Sequence, residues 1–382
     1  MIKRLLLACT CAGILAGCSS LNPFASKPDP RTQPAPLPDL SDKKAAEAKL
    51  VWRASVGEAG SYAFAPAVVQ SSVYAASEKG NLARFDNGQQ VWRVTAEKRL
   101  SGGVGSDGKV VVVGTDKGDV LAFSATDGHP LWAAKAGSEV LSPPLVTDGL
   151  VLVRTGDSLI RAFDATTGKF RWVHQRTAPV LTVRASPGMI ALPGMLVSGF
   201  PGGKLAAVAL NNGALIWELS VASPKGATEL ERVTDITSLP VVGGQEVCAA
   251  SYKGRIACFD MTTGQTTWAR DVSSLTGMDI DSRTAYVSDD QGNVLAFDRH
   301  GGASLWKQGK LFNRNLSRPL AIGAYVLVGD YQGYVHVLRR DDGAIVGRIA
   351  TDGSAIVADP RRIGDNVLVQ TKDGGLFSIA VN

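Results

Sequence analysis

The chain has 382 residues and a formal net charge of +5; its 45% hydrophobic and 20% charged residues are the balance of a globular protein, not of a disordered or fibrous one. No run of five or more basic residues occurs, so neither a nucleic-acid site nor a polybasic membrane patch is signalled. The length would hold two or three ordinary domains, but an internal repeat, described below, allows one large one.

The amino terminus reads MIKRLLLACTCAGILAGC: two cations, an apolar stretch, then small residues. That is the form of a secretory signal peptide, assigned to residues 1–17, and it is too short and too early for a lasting membrane span. Leu15-Ala16-Gly17-Cys18 resembles the lipobox of bacterial lipoproteins, in which the Cys is lipidated and becomes the first mature residue. Ser19 and Ser20 follow where an inner-membrane retention signal would place Asp, which implies sorting to the outer membrane. Loss of Lys3 and Arg4 with the signal brings the charge from +5 to about +3. Residues 18–48 then read as a tether. Pro23, Pro28, Pro30, Pro34, Pro36 and Pro38 stand among polar residues, a mixture that forms no core and extends at roughly 3 Å per residue. Ser41 to Lys49 is expected to form a short helix with little apolar face.

From Leu50 onward a single phrase recurs: a turn containing Gly, a hydrophobe, then Trp. Trp52, Trp92, Trp132, Trp172, Trp217, Trp268 and Trp306 are all the tryptophans of the chain, spaced by 40, 40, 40, 45, 51 and 38 residues. That period is the signature of a propeller or solenoid array. Between the tryptophans run alternating small and branched residues bounded by Asp-Gly, Asn-Gly and Thr-Gly turns, the mark of antiparallel hairpins. Eight hairpin units can be counted, from Ser72–Phe85 to Asn366–Ile379, and four strands per unit make one blade. The last unit lacks a fourth strand and the first Trp strand, KLVWRASVG, lacks a hairpin. The two defects complement one another, so the expectation is an all-β, eight-bladed β-propeller over residues 49–382, its amino-terminal strand closing the last blade. In the seventh unit, AIVGRIA, Val346 stands where Trp is expected.

The repeated Trp invites a cofactor-stacking reading, but one Trp at a fixed place in each blade is more economically explained by packing between neighbouring blades. The recurring Phe-Asp pairs at Asp86, Asp164, Asp260 and Asp298 precede Gly-containing turns, where Asp ordinarily accepts bonds from its own backbone. Cys248 and Cys258 flank the turn SYKGR on strands expected to pair; an exported protein allows either a disulfide or two buried thiols there.

The repeats resemble those of the pyrroloquinoline-quinone dehydrogenases. Those enzymes carry a vicinal Cys-Cys pair and a calcium cluster of carboxylates and amides, whereas here no two Cys adjoin and the four His lie in different repeats. No G-x-S-x-G and no P-loop occurs. The expectation is a protein without catalytic residues, metal or cofactor; an enzymatic alternative would show the absorbance of a bound quinone.

The repeat spacing stretches in two places. One insert spans about His174 to Ser186, the other about Ser220 to Leu239, and equivalent connections of successive blades emerge side by side on one face. The first holds Val180, Leu181, Val183 and Arg184; the second holds Glu229, Leu230, Glu231, Arg232 and Asp235, a mixture suited to a protein contact.

Lipobox, Pro-rich tether, eight quinoprotein-type (WD40-like) repeats and the loops VLTVRASP and TELERVTDITSLP together resemble the BamB family, lipoproteins of the outer-membrane β-barrel assembly (BAM) machinery, over nearly the whole mature chain. The resemblance implies a non-enzymatic scaffold on the periplasmic face of the outer membrane, anchored by lipid on Cys18. Its implied partners are the POTRA domains of BamA and the other BAM lipoproteins. The family's Leu-x-Leu-Arg segment falls on Leu181, Val183 and Arg184, with Val for the second Leu. Its Asp-x-Asp segment falls on Asp235 and Thr237, so the second carboxylate is missing. Glu229, Glu231 and Arg232 are implied secondary contacts. A competing expectation is direct capture of unfolded outer-membrane barrel substrates by strand addition.

Overall fold

A computed structural model describes residues 33–40, 46–185 and 187–382. The signal peptide, Cys18 and residues 41–45 of the expected helix lie outside the described residues, and Ala48 and Lys49 belong to a strand instead. Thirty-two strands form eight four-stranded antiparallel sheets. Seven are continuous in sequence: blade 1 (Ala67–Thr95), blade 2 (Gly105–Lys135), blade 3 (Leu145–His174), blade 4 (Met189–Ser220), blade 5 (Val241–Arg270), blade 6 (Met278–Gln308) and blade 7 (Leu320–Ala350). Blade 8 joins Arg361–Val381 to the amino-terminal strand Ala48–Ser55, which pairs antiparallel with Gly375–Val381. The eight blades and the closing strand are therefore those the repeat implied.

The core is not one cluster but eight, each filling a seam between two blades. The middle strands of a blade face a neighbour on both sides, which is why Val110–Gly114 and Asp119–Ser124 are buried along their whole length and read as unbroken runs of small and branched residues. The outer strands alternate: Pro130–Lys135 exposes every second residue.

Five seams repeat one contact. The indole of Trp132 donates from Nε1 to the Ala165 carbonyl at 2.8 Å, and its ring lies under Gly168, where a Cβ would come within 2.6 Å. Trp92 does the same with Ala125 and Gly128, Trp172 with Leu210 and Gly213, Trp268 with Arg299 and Gly302, and Trp306 with Arg340 and Gly343. Those four glycines and Gly168 have φ between 66° and 77°, a conformation that L side chains rarely adopt. The Gly of each turn thus serves the preceding blade's Trp, not the Trp that follows it in sequence. Trp52 of the closing strand stacks on Gly88 of blade 1 in the same way. At the seam of blades 4 and 5, Leu219 rather than Trp217 faces Gly264, at 3.5 Å.

Blade 7 requires a correction. A bulge precedes every Trp, and the register Val337↔Gly347 and Leu338↔Ile345 makes Val346 the bulged residue and Gly347 the equivalent of Trp. Trp has no role there, because blade 8 has no turn between its third and fourth strands for an indole to meet. The entering chain runs past instead: the Ala46 amide donates to the Val346 carbonyl at 2.9 Å, and the Ala46 carbonyl lies 3.6 Å from where a Gly347 Cβ would stand.

The carboxyl half of the Pro-rich tether also departs from the expected free linker. The Ala35 amide donates to the Phe312 carbonyl at 2.9 Å, Arg314 Nη1 donates to the Ala35 carbonyl at 3.0 Å, and Arg348 Nη1 to the Pro38 carbonyl at 3.3 Å. Leu40 packs into the seam of blades 6 and 7. Prolines leave carbonyls without amide partners of their own, and arginines from the propeller supply donors. Arg314 is held by Asp330 (2.7 Å), which also accepts from His336 Nε2 (2.9 Å), all three side chains buried.

Cys248 and Cys258, directly opposite in register within blade 5, are joined by a disulfide. The Asp residues at the hairpin turns accept backbone bonds as expected: Asp164 from Thr166 and Thr167, Asp260 from Thr262 and Thr263, Asp298 from His300 and Gly301. Asp86 instead takes the Arg84 guanidinium at 2.8 Å.

Candidate docking site on the two longest blade connections

The connections 175–188 and 221–240 leave the outer strands of blades 3 and 4 and enter the inner strands of blades 4 and 5. They meet, as adjacent equivalent loops should, and Asp235 is where they meet. Its Oδ2 accepts the Val183 amide at 2.6 Å and its Oδ1 the Gly202 amide at 2.9 Å, while its carbonyl accepts the Tyr252 amide at 2.8 Å. One residue thereby fixes the first loop, the turn of blade 4 and the turn of blade 5. Its neighbour Ile236 donates its amide to the Phe200 carbonyl (3.2 Å) and packs against Gly199, where a Cβ would lie 2.1 Å from Ile236 Cγ2.

This geometry gives Asp235 and Thr237 structural partners within the chain. Asp235 is 3% exposed and Thr237 7%, and the Thr237 hydroxyl donates to the Leu275 carbonyl at 2.7 Å. Both side chains hold the loops in place. Residues that do face outward are Val180 (88% exposed), Leu181 (45%) and Leu230 (65%), while Val183 is half-buried. An apolar group this exposed on a loop pinned by a buried carboxylate is a presented surface.

Arg184 is exposed yet engaged. Its Nη2 and Nε meet the two Glu139 oxygens at 2.7 and 3.3 Å, and its guanidinium stands 5.8 Å from the Tyr62 ring centroid. The Glu139 carboxylate, ahead of other causes, raises the Arg184 pKa. Glu139 and Tyr62 were not among the residues expected at the site. They sit in the connections ahead of blades 3 and 1, and only the register of the repeat, which puts all such connections on one face, could have pointed to them.

In the second loop Glu231 is structural: its Oε2 accepts the Ala227 and Thr228 amides at 2.8 and 3.1 Å, and its own amide donates to Thr228 Oγ1 at 3.2 Å. This reciprocal pair is a capping box, written in the sequence as Thr228-x-x-Glu231, and backbone donation from Thr228 holds the Glu231 pKa below its ordinary value. Arg232 donates from Nε to the Gly226 carbonyl (3.1 Å) and pairs loosely with Glu229 at 3.4 Å, leaving Glu229, Leu230 and Arg232 on the outside of a single helical turn. Among the described residues one group has the spacing of metal ligands, Glu246 with Cys248 and Cys258, and the disulfide removes both thiolates from it.

The fold is an eight-bladed β-propeller of PQQ-like repeats whose two longest blade connections meet at Asp235. Residues 78–308 match the family model described as outer membrane protein assembly factor BamB. Proteins of that name are similar along nearly the whole chain: that of Bordetella pertussis is 42% identical over 96% of this chain and 94% of the relative, and that of Burkholderia pseudomallei 41% identical over 99% and 98%. The crystal structure of BamB from Moraxella catarrhalis superposes with a TM-score of 0.82 at 30% identity, covering 87% of this chain and 99% of that one. The chain belongs to the BamB family. A quinohemoprotein alcohol dehydrogenase from Comamonas testosteroni shares the fold alone, with a TM-score of 0.70 at 13% identity over 88% of this chain and 76% of that one.

Proposed function

We propose that this chain is a non-enzymatic scaffold of the BAM machinery, docking on the POTRA domains of BamA and assisting the folding and insertion of outer-membrane β-barrels. Lipid on Cys18 holds it to the periplasmic face of the outer membrane, beside the other BAM lipoproteins. The observation that carries the reading is the exposed apolar group Val180, Leu181 and Leu230, presented by two loops that Asp235 locks together. Apolar anchors on a pre-ordered surface lose little entropy on binding, and desolvating them drives association. Arg184, already ordered by Glu139, stands at the rim, where a charge chiefly sets orientation and rate of encounter.

The test is co-purification with BamA from detergent-solubilised membranes, comparing the intact chain with Arg184→Glu and Leu181→Asp. Both variants are expected to lose capture while keeping the wild-type melting temperature. Capture unchanged in both would sink the site.

A second reading has its own observation. The bulged residues of the outer strands leave apolar side chains on the rim, Val51, Val91, Leu131 and Leu305 each at least 42% exposed, beside unpaired strand edges that suit strand addition by an unfolded barrel segment. Photo-cross-linking in cells from position 131 and from position 181 separates the two: many nascent barrels from the rim, BamA from the loop.

A further inference from the structure

Arg154 closes the second strand of blade 3 and is 5% exposed. Its Nη1 donates to Ser198 Oγ at 2.8 Å and to the Gly199 carbonyl, and its guanidinium carbon lies 4.5 Å from the Phe200 ring centroid. Two other buried arginines of the propeller each pair with a carboxylate, Arg314 with Asp330 at 2.7 Å and Arg318 with Asp279 at 3.3 Å, whereas Arg361, its Nε buried without a hydrogen-bond partner, makes no ion pair among the described residues. Arg154 makes no ion pair among the described residues. Asp235, whose field it feels, is committed to the Val183 and Gly202 amides, and the second cation nearby, Arg176, repels it. Burial first, then Arg176, brings the Arg154 pKa from its ordinary value to about 9.

A buried cation without a counter-charge is costly, and an apolar side chain of like volume would stabilise the site better. What the arginine retains is its fork. Nε and Nη2 carry no hydrogen bond among the described residues, and Arg154 lines a small polar pocket whose walls include Thr155 and Ser158 of blade 3, Thr182 and Val183 of the first loop, and Thr237 and Asp235 of the second, the Asp235 carboxylate being held by the Val183 and Gly202 amides. The pocket therefore opens between the same two loops that present Val180, Leu181 and Leu230. A carboxylate entering it would meet two parallel donors in a desolvated setting, where charge-assisted bidentate bonds are strongest.

We infer that this pocket receives an acidic side chain, Asp or Glu, of the protein that docks on the two loops, the carboxylate taking the free edge of the Arg154 guanidinium. Arg154 would then be a specificity-determining residue: an apolar surface recruits, and the buried cation selects a partner with an acid at one position. The inference rests on the docking proposed above.

The variant is Arg154→Met in the full-length lipidated protein, with affinity for purified BamA and the thermal midpoint both measured. Affinity is expected to fall at least tenfold while the midpoint stays level or rises, because Met removes the uncompensated charge and keeps the packing on Phe200. Wild-type affinity in the variant overturns the acid pocket and leaves the docking intact. A lower midpoint assigns Arg154 to holding Ser198 and Gly199 and overturns it too. If the wild-type chain itself fails to bind BamA, the docking reading falls and takes the inference with it. Arg154→Lys, which keeps the charge but not the fork, should also lose affinity; wild-type affinity in the Lys variant would overturn the bidentate contact.

Discussion

The blade seams and the two long loops solve the same problem in opposite ways. At a seam, one Trp, one carbonyl and one Gly are reused around the ring, so the contact is written into local sequence and no single copy is indispensable to recognising it. At the loops every bond is made once, between residues such as Val183 and Asp235 that are 52 positions apart. Repetition gives a rigid ring whose stability is a sum of neighbour terms. Singular contacts give a surface that differs from the rest of the ring, and a partner needs that difference to dock at one place.

The largest effect should come from attacking the repeated contact. Gly168 has φ +69° and its hydrogen lies against the Trp132 ring, so Gly168→Val adds left-handed strain of about 1–2 kcal/mol and overpacking of about 1–3 kcal/mol. Thermal melting should show a fall of several degrees, while Gly149→Val, also at positive φ but with nothing within 4 Å, should show the strain alone. Equal losses in the two would mean that the Trp–Gly stack contributes nothing.

Blade 7 offers a sharper form of the same test. If the Trp position is occupied only where a following turn can receive an indole, restoring the repeat there must harm the fold. Gly347→Trp is expected to cost about 1–3 kcal/mol through collision with the chain at Ala46, and to loosen the closing strand Ala48–Ser55 in hydrogen exchange. A variant as stable as the wild type would show that the missing Trp has no structural reason.

These cases also mark where the sequence was legible. Blade number, closure and the place of the two long loops follow from the spacing of Trp and Gly, because a propeller encodes its period in every copy. The identity of the Trp-equivalent in blade 7 did not, since a bulge shifts the register by one residue and leaves Val346 looking like the substitute. The docking of Pro34–Leu40 was hidden because composition shows that a segment has no core of its own, not that Arg314 and Arg348 lend it one. The family's Asp-x-Asp segment, with its charge, pointed to Asp235 as a partner contact; its burial is set by two amides, which have no signature in sequence.

That last difference can be measured. Asp235→Asn keeps the shape but offers one acceptor oxygen where two amides need one each, so either Val183 or Gly202 is left facing an NH2 group, at a cost of about 1–3 kcal/mol. Since the cost falls on a peripheral loop, global melting should move little, and hydrogen exchange should rise at Thr182–Ala185 and around Gly202. Capture of BamA should weaken through the loosened loop. Loss of capture with exchange unchanged would return Asp235 to the contact role that its charge first suggested, and would leave the first loop without its pin.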